Sequence, residues 1–260
     1  MIKVWQYSMY DLIRSRWTYI YFLFYLVTTM GLLHISNTLS MTIVSLVNII
    51  TILIPLIGTI FGAIYFYNSK EFIELLLAQP IRRRSIFLGQ YLGLATSLAI
   101  SYSLGVALPF LIRSIWLTDQ LGNFMILLAV GILLTFIFVG LAYLVALSNN
   151  NRMKGFGLAI IIWLFLAVIY DGLFILSLIV FEDYPLESFS LITSMLNPID
   201  LSRILIMLKL DVAALLGYTG AVFNKFLGAG LGVGVAFTAL IAWVILPLTA
   251  YLKIAAKKDF

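Results

Sequence analysis

Long apolar runs are the feature of this chain that most limits how it can fold. A helix needs about 20 mostly apolar residues to cross a bilayer. Six such runs cover approximately residues 17–35, 41–67, 87–112, 124–147, 155–181 and 226–252. Charged residues make up only 10% of the chain, whereas a soluble domain carries about 25%. The sequence therefore predicts an all-α integral membrane protein with six transmembrane helices, in which residues 1–260 form a single domain.

The basic residues predict how these helices are oriented. Twelve of the sixteen Lys and Arg residues lie in the N-terminus, after the second run, after the fourth run and in the C-terminal tail. The other four are Arg113, Arg203, Lys209 and Lys225. Because loops rich in Lys and Arg stay in the cytoplasm, both termini are expected there, in a multi-pass protein of the inner membrane. Residues 182–225 are then external. This distribution fits membrane topology and predicts lipid neighbours, with no nucleic-acid partner.

Residues 68–85 interrupt the apolar pattern and are expected to lie in water. Their charged residues include Lys70 and three consecutive arginines. Residues 70–79 have helical spacing and end at Pro80, which predicts a short amphipathic helix with Phe72, Leu75, Leu76 and Gln79 on one side. The alternative is a plain loop whose arginines only enforce topology. Residues 1–16 mix apolar and polar positions as in an interfacial helix.

The sequence provides little for catalysis or for a bound cofactor. No glycine loop ending in Gly-Lys-Ser or Gly-Lys-Thr is present, so no ATP hydrolysis by this chain and no cofactor of its own are expected. Gly228, Gly230, Gly232 and Gly234 open an apolar run and predict close helix packing. His34, Met195 and Met207 are weak candidates for copper ligands, because soft ligands usually cluster more densely.

Asp171 is the one acid inside a predicted span, where such residues usually face a bundle interior or a cavity. Asp171-Gly172 could mark a break after which residues 172–181 re-enter the membrane. The alternative is an uninterrupted, tilted helix.

The external segment contains a predicted helix that begins at Asn197-Pro198. Its apolar stripe consists of Leu201, Ile204, Leu205 and Leu208. The stripe could lie on the membrane surface or dock a partner protein. The candidate residues for contact with an external partner are Asn197, Pro198, Asp200, Arg203 and Asp211.

Glu74-Leu-Leu-Leu-Ala-Gln-Pro80-Ile-Arg82-Arg-Arg resembles the segment after the second span of type 2 ABC exporter permeases. In that family the segment forms a coupling helix that docks on the ATPase, and residues 11–17 resemble the family's interfacial elbow helix. The family's usual Gly-Thr pair is replaced here by Glu71 and Phe72. The resemblance implies coupling to an ATPase through Glu71, Phe72, Glu74, Leu75, Leu76, Gln79, Pro80, Arg82, Arg83 and Arg84.

Residues 196–205, with 210–212 and 216–223, are similar to the NosY-type permeases of the nitrous oxide reductase maturation transporter. That resemblance implies a homodimer, a cytoplasmic ATPase that binds ATP and Mg, and a periplasmic copper-handling repeat protein. The expected function is the coupling of ATP hydrolysis to transport or mechanical signalling in copper-dependent enzyme maturation. The alternative is a generic exporter of a lipid, drug or other small molecule. An intramembrane enzyme is disfavoured, because neither Asp171 nor His34 has a nucleophile-base set beside it in sequence.

Overall fold

The computed structural model describes residues 2–36, 38–113, 115–181, 187–210 and 218–258, with only the backbone described at 117, 187–188, 218–221 and 223–229. All regular elements in these ranges are helical. The α-helices are α1 (Ile2–Ile13), α2 (Arg16–Ile35), α3 (Leu39–Asn68), α4 (Lys70–Leu77), α5 (Arg83–Ile112), α6 (Leu121–Ser148), α7 (Arg152–Leu164), α8 (Tyr170–Val180), α9 (Glu187–Met195), α10 (Pro198–Lys209) and α11 (Tyr218–Lys257). A 3₁₀ turn covers Ile115–Leu117, and a π-helix covers Phe165–Ile169.

Within the described residues, six helices are long and apolar enough to cross a membrane, which confirms the predicted all-α transmembrane fold. Four of these spans are α2, α3, α5 and α6. The fifth span, Arg152–Val180, joins α7, the π-helix and α8, and the sixth is Gly230–Lys257 within α11. Residues 253–257, predicted as a basic tail, continue α11, because lysine is a good helix former.

Close packing of small residues holds the centre of the bundle together, as is usual for helices in lipid. Gly62 of α3 lies so near α6 that an added Cβ would be 2.6 Å from the Ala142 Cβ. Gly93 of α5 approaches Ser8 of α1 in the same way, at 2.5 Å. At Gly230 and Gly234 of the later glycine run, an added Cβ would meet no atom of the described residues within 4 Å, so this part of the chain does not make the predicted close packing there.

Hydrogen bonds show which helix ends lie on the same side of the bundle. The Tyr67 hydroxyl donates to the Asn149 carbonyl at 2.9 Å, and the Arg83 guanidinium donates to the Lys258 carbonyl at 2.9 Å. We call this side, with Tyr67, Arg83, Asn149 and Lys258, the terminal side. The opposite side, where Arg113 donates to the Leu33 carbonyl, is the far side.

The connection between the fifth and sixth spans enters the bundle and leaves it again. α9 and α10 meet at a bend of 110°. At this bend, Asn197 Nδ2 donates to the Leu166 carbonyl and Trp243 Nε1 donates to the Met195 carbonyl. At about 1.5 Å per residue, Leu166 lies about 21 Å from Arg152 along the fifth span, and Trp243 lies about 21 Å from Lys257 along the sixth. The bend is therefore about half-way through the bundle, and α9 and α10 form a re-entrant pair.

This arrangement corrects the prediction for the apolar stripe of α10. Leu201, Ile204, Leu205 and Leu208 are buried. They pack inside the chain, where α10 contacts α11, α3 and α6. The prediction that the stripe lies on the membrane surface or docks a partner is therefore wrong. Spacing along a helix shows that one face needs covering, but it does not show whether lipid, a partner or the same chain covers it.

Candidate functional site

The coupling segment, residues 68–85, forms a short helix that its own chain covers only on one face. The Ile73 amide donates to the Ser69 carbonyl at 2.9 Å where α4 begins. α4 ends at Leu77, three residues before Pro80, which cannot donate a backbone hydrogen bond. Ile73 is fully buried and attaches α4 to the bundle, and Phe72 stacks on Tyr7 of α1 with ring centroids 5.1 Å apart. These contacts confirm a short amphipathic helix and join it to α1. The predicted face is wrong in part, because Ile73 forms the buried side, whereas Leu75 and Gln79 of the predicted side are exposed.

The opposite face of α4 presents an apolar side chain to solvent. Glu71, Glu74, Leu75 and Ala78 recur at helical spacing and are exposed, and Leu75 is 67% exposed. The salt bridge from Lys70 to Glu74 spans 3.9 Å between half-exposed side chains, so it contributes about 0.3–0.5 kcal/mol. The exposed face of α4 therefore carries one apolar side chain beside two acids.

The three arginines after Pro80 do not stabilise the helix that they begin. Arg82 precedes α5 with an extended backbone, and Arg83 and Arg84 occupy its first turn. A positive charge at a helix N-terminus opposes the helix dipole, at a cost of about 0.3–1 kcal/mol each. All three side chains are exposed. Membrane topology or a partner, rather than helix stability, therefore accounts for them.

All the predicted coupling residues thus lie together on the terminal side. Phe72 and Leu76 are partly buried, and the others are exposed. This side is also tied to the sixth span, because Lys258 Nζ donates to the Leu147 carbonyl and to Asn150 Oδ1. Burial lowers the pKa of Lys258, and the nearby charge of Lys70 lowers it further.

On the re-entrant pair, Asn197 fixes the turn between α9 and α10. Its Oδ1 accepts from the Ile199 amide at 3.1 Å, which caps α10, and its Nδ2 donates to the Leu166 carbonyl at 2.9 Å. The π-helix explains why that carbonyl is available. The Tyr170 amide, which would bond to Leu166 in an α-helix, bonds instead to the Phe165 carbonyl. π-turns are frequent at functional sites.

An ion cluster of Asp171, Asp200 and Arg203 joins the fifth span to α10. Arg203 donates to Asp171 Oδ2 at 2.9 Å and lies 3.7 Å from Asp200 Oδ1. The Arg203 side chain is 22% exposed, and that of Asp171 is 28% exposed. Asn197 Nδ2 also donates to Asp200 Oδ2 at 3.1 Å. Pairing of this kind is how a membrane protein accommodates charge within its spans.

The structure decides between the two alternatives for Asp171. The helix continues through Asp171-Gly172 to Val180, so no break occurs there and residues 172–180 do not form a re-entrant segment. Since Arg203 pairs with the carboxylate, the helix need not break to bring Asp171 into water. Sequence reasoning assigned Asp171 and Arg203 to different regions and missed their pairing. Two features of the sequence could have indicated this pairing. Asp171 is the one acid in an apolar span, and the mostly apolar connection that follows contains one arginine, Arg203.

The other singled-out residues are not brought together. His34 lines a groove between α2 and α5, whereas Met207 is buried in α10 and Met195 is partly buried at the re-entrant turn. Among the described residues, no group of three or more His, Cys, Asp or Glu could hold a metal ion. Asn197 and Pro198 are buried within the chain, so neither side chain is on an outer surface. Asp211 lies outside the described residues.

Comparisons with known proteins place these features in context. The sequence model of the ABC-2 family transporter proteins matches residues 4–252. The chain is also 27% identical over 269 aligned positions to a "Probable ABC transporter permease protein NosY" of Stutzerimonas stutzeri, covering 94% of each chain. A protein of the same description from Pseudomonas aeruginosa PAO1 is 27% identical over 180 positions, covering 66% of each chain.

Proposed function

The chain belongs to the ABC-2 family of transporter proteins, and from that premise we propose that α4 is where a separate ATPase drives it. Within this family the chain is an ABC transporter permease subunit, and such a subunit works with an ATPase partner. The ATP and Mg of the transport cycle would be held by that partner. The observation that carries the proposal is the exposed face of α4, with Leu75 67% exposed beside Glu71 and Glu74.

In this proposal the terminal side lies on the cytoplasmic face of the inner membrane. The charge bias supports that orientation, because Lys70, the arginines at 82–84 and Lys258 all belong to the terminal side. An ATPase docked there would contact Leu75 and the flanking acids of α4. The arginines at the start of α5, which cost helix stability, would then be retained for topology and for this contact.

Two links can carry motion from α4 into the membrane. Ile73 packs α4 on the bundle core, and Leu76 and Leu77 are partly buried beside it. Because α4 contacts α5, a displacement of α4 would also move α5. Arg83 and Lys258 connect the start of α5 to the end of α11. α11 in turn packs along α10, so the re-entrant pair is a suitable element to move on the far side.

We propose copper-dependent maturation of nitrous oxide reductase as the process that this permease serves. The support is the NosY description of its relatives and the similar residues 196–205. The working unit would be a homodimer with a periplasmic copper-handling repeat protein on the far side. With Asn197 and Pro198 buried, and with Asp200 and Arg203 paired in the ion cluster with Asp171, Asp211 remains the candidate for that contact.

Replacing Leu75 by aspartate tests the coupling role of α4. The Leu75→Asp variant should insert normally, because the side chain is exposed, but it should lose most ATPase binding and enzyme maturation. The matched control is Met153→Asp, since Met153 is 79% exposed at the start of α7 and lies off α4. Normal maturation with Leu75→Asp, or an equal loss with Met153→Asp, would refute the docking proposal.

The second candidate function is export of a lipid, drug or other small molecule. It is supported by the family match, which covers most of the chain and names no solute. Deleting the gene and measuring copper loading of nitrous oxide reductase separates the two functions. Loss of copper loading supports maturation, and normal loading supports export.

A further inference from the structure

A groove between α2 and α5 opens on the far side and serves no part of the proposed coupling route. Its volume is about 520 Å³. Its lining includes Val27, Met30, His34, Pro109, Ile112 and Arg113. The wall is apolar along the two helices, and the cationic and imidazole groups lie at its end.

Gly31 leaves the groove open between the two helices, and Arg113 provides its positive charge. A Cβ added at Gly31 would meet no atom within 4 Å, so the missing side chain leaves open space. Arg113 donates to the Leu33 carbonyl at 3.2 Å, which holds its guanidinium at the mouth of the groove. That bond uses one of the five N–H donors of the guanidinium. The site therefore combines a fixed cation with an apolar channel.

A lipid fits this chemistry better than a free anion does. α2 and α5 both end here, and the negative ends of their dipoles weaken the attraction of Arg113 for any phosphate, so much of the affinity must come from the apolar wall, which a free anion cannot use. A membrane phospholipid is already concentrated beside the groove, and its two parts match the two parts of the site. We infer that the groove binds one phospholipid of the far-side leaflet, with its phosphate at Arg113 and His34 and an acyl chain along Val27, Met30 and Ile112.

Titration of the purified full chain with phosphatidylglycerol, followed by native mass spectrometry, tests this site. Arg113→Gln should raise the apparent Kd for the first bound lipid about tenfold, because it removes a charge-assisted hydrogen bond. Gly31→Leu should do the same by filling the channel. The matched controls are Lys209→Gln, an exposed cation of α10, and Gly122→Leu, a second glycine with no atom within 4 Å of an added Cβ.

Gly31→Leu keeps the test decisive if Arg113→Gln fails to fold, because it leaves the bond to Leu33 intact. Unchanged lipid affinity in Gly31→Leu would overturn the proposal. It would also be overturned if inorganic phosphate displaced the lipid at similar concentration, because the groove would then be a site for free anions.

Discussion

The coupling segment and the re-entrant pair both interrupt the apolar spans, but only in the re-entrant pair, at α10, does the chain cover the whole apolar stripe. At α4, one buried residue, Ile73, supplies the attachment, and the face around Leu75 stays uncovered. At the re-entrant turn, Asn197 and the stripe of α10 are buried, and Asp171 pairs with Arg203. The chain itself therefore covers α10, and in the proposed function a separate ATPase covers α4. Substitutions should therefore destabilise the chain at the re-entrant pair and change assembly at α4.

The largest loss of stability is expected from Arg203→Leu. It leaves Asp171 and Asp200 without their cation. Breaking a fully buried ion pair costs about 3–5 kcal/mol, so this partly buried pair should cost about 2–3 kcal/mol. The free energy of unfolding in mixed micelles measures this effect, with Lys209→Leu on the same helix as the control. Adding Asp171→Leu and Asp200→Leu should restore most of the loss. If Arg203→Leu unfolds like the control, the ion cluster does not hold α10 in place.

A smaller loss is expected from Asn197→Ala. Loss of the cap on α10 costs about 1 kcal/mol, and loss of the buried bond to Leu166 costs about 1 kcal/mol more. Hydrogen exchange of α10 should increase together with the decrease in unfolding free energy. Unchanged exchange in α10 would show that the π-helix and the re-entrant turn are not coupled.

The smallest stability effect is expected from Lys258→Met, on the terminal side. Lys258 is close to solvent, so its hydrogen bonds to Leu147 and Asn150 are screened and contribute only about 0.5 kcal/mol. Stimulation of the partner's ATPase activity should fall more than stability does, because the end of α11 loses its side-chain bonds to the end of α6, while the bond from Arg83 to the carbonyl of residue 258 remains. If Lys258→Met lowered the stability as much as Arg203→Leu is expected to, the terminal side would contribute as much to stability as the re-entrant pair does, contrary to this account.

The spans and α4 could be predicted from sequence because their signals are local. An apolar run of sufficient length must cross the membrane, and charges followed by Pro80 must leave it. The packing glycines were predicted less well. Gly62 and Gly93 pack closely, whereas a Cβ added at Gly230 or Gly234, in the more conspicuous run, would meet no atom of the described residues within 4 Å. Which face of a helix finds a neighbour is a property of the whole bundle.

The re-entrant pair could not be predicted for a related reason. Asp200, Arg203 and Lys209 make residues 198–209 look like an external helix, because pattern alone does not show that Asp171 neutralises Arg203 from another helix. The π-helix at Phe165–Ile169 has no local signature of its own, yet it exposes the carbonyl that receives Asn197. Long-range pairing decided this part of the structure.

The central proposal is that a separate cytoplasmic ATPase docks on the exposed face of α4. The chain contains no cysteine, so a single Leu75→Cys variant gives an unambiguous label. A membrane-impermeant maleimide should modify position 75 in inside-out vesicles, and co-expressed ATPase should protect it. Modification in intact cells, or equal labelling with and without the ATPase, would contradict the account.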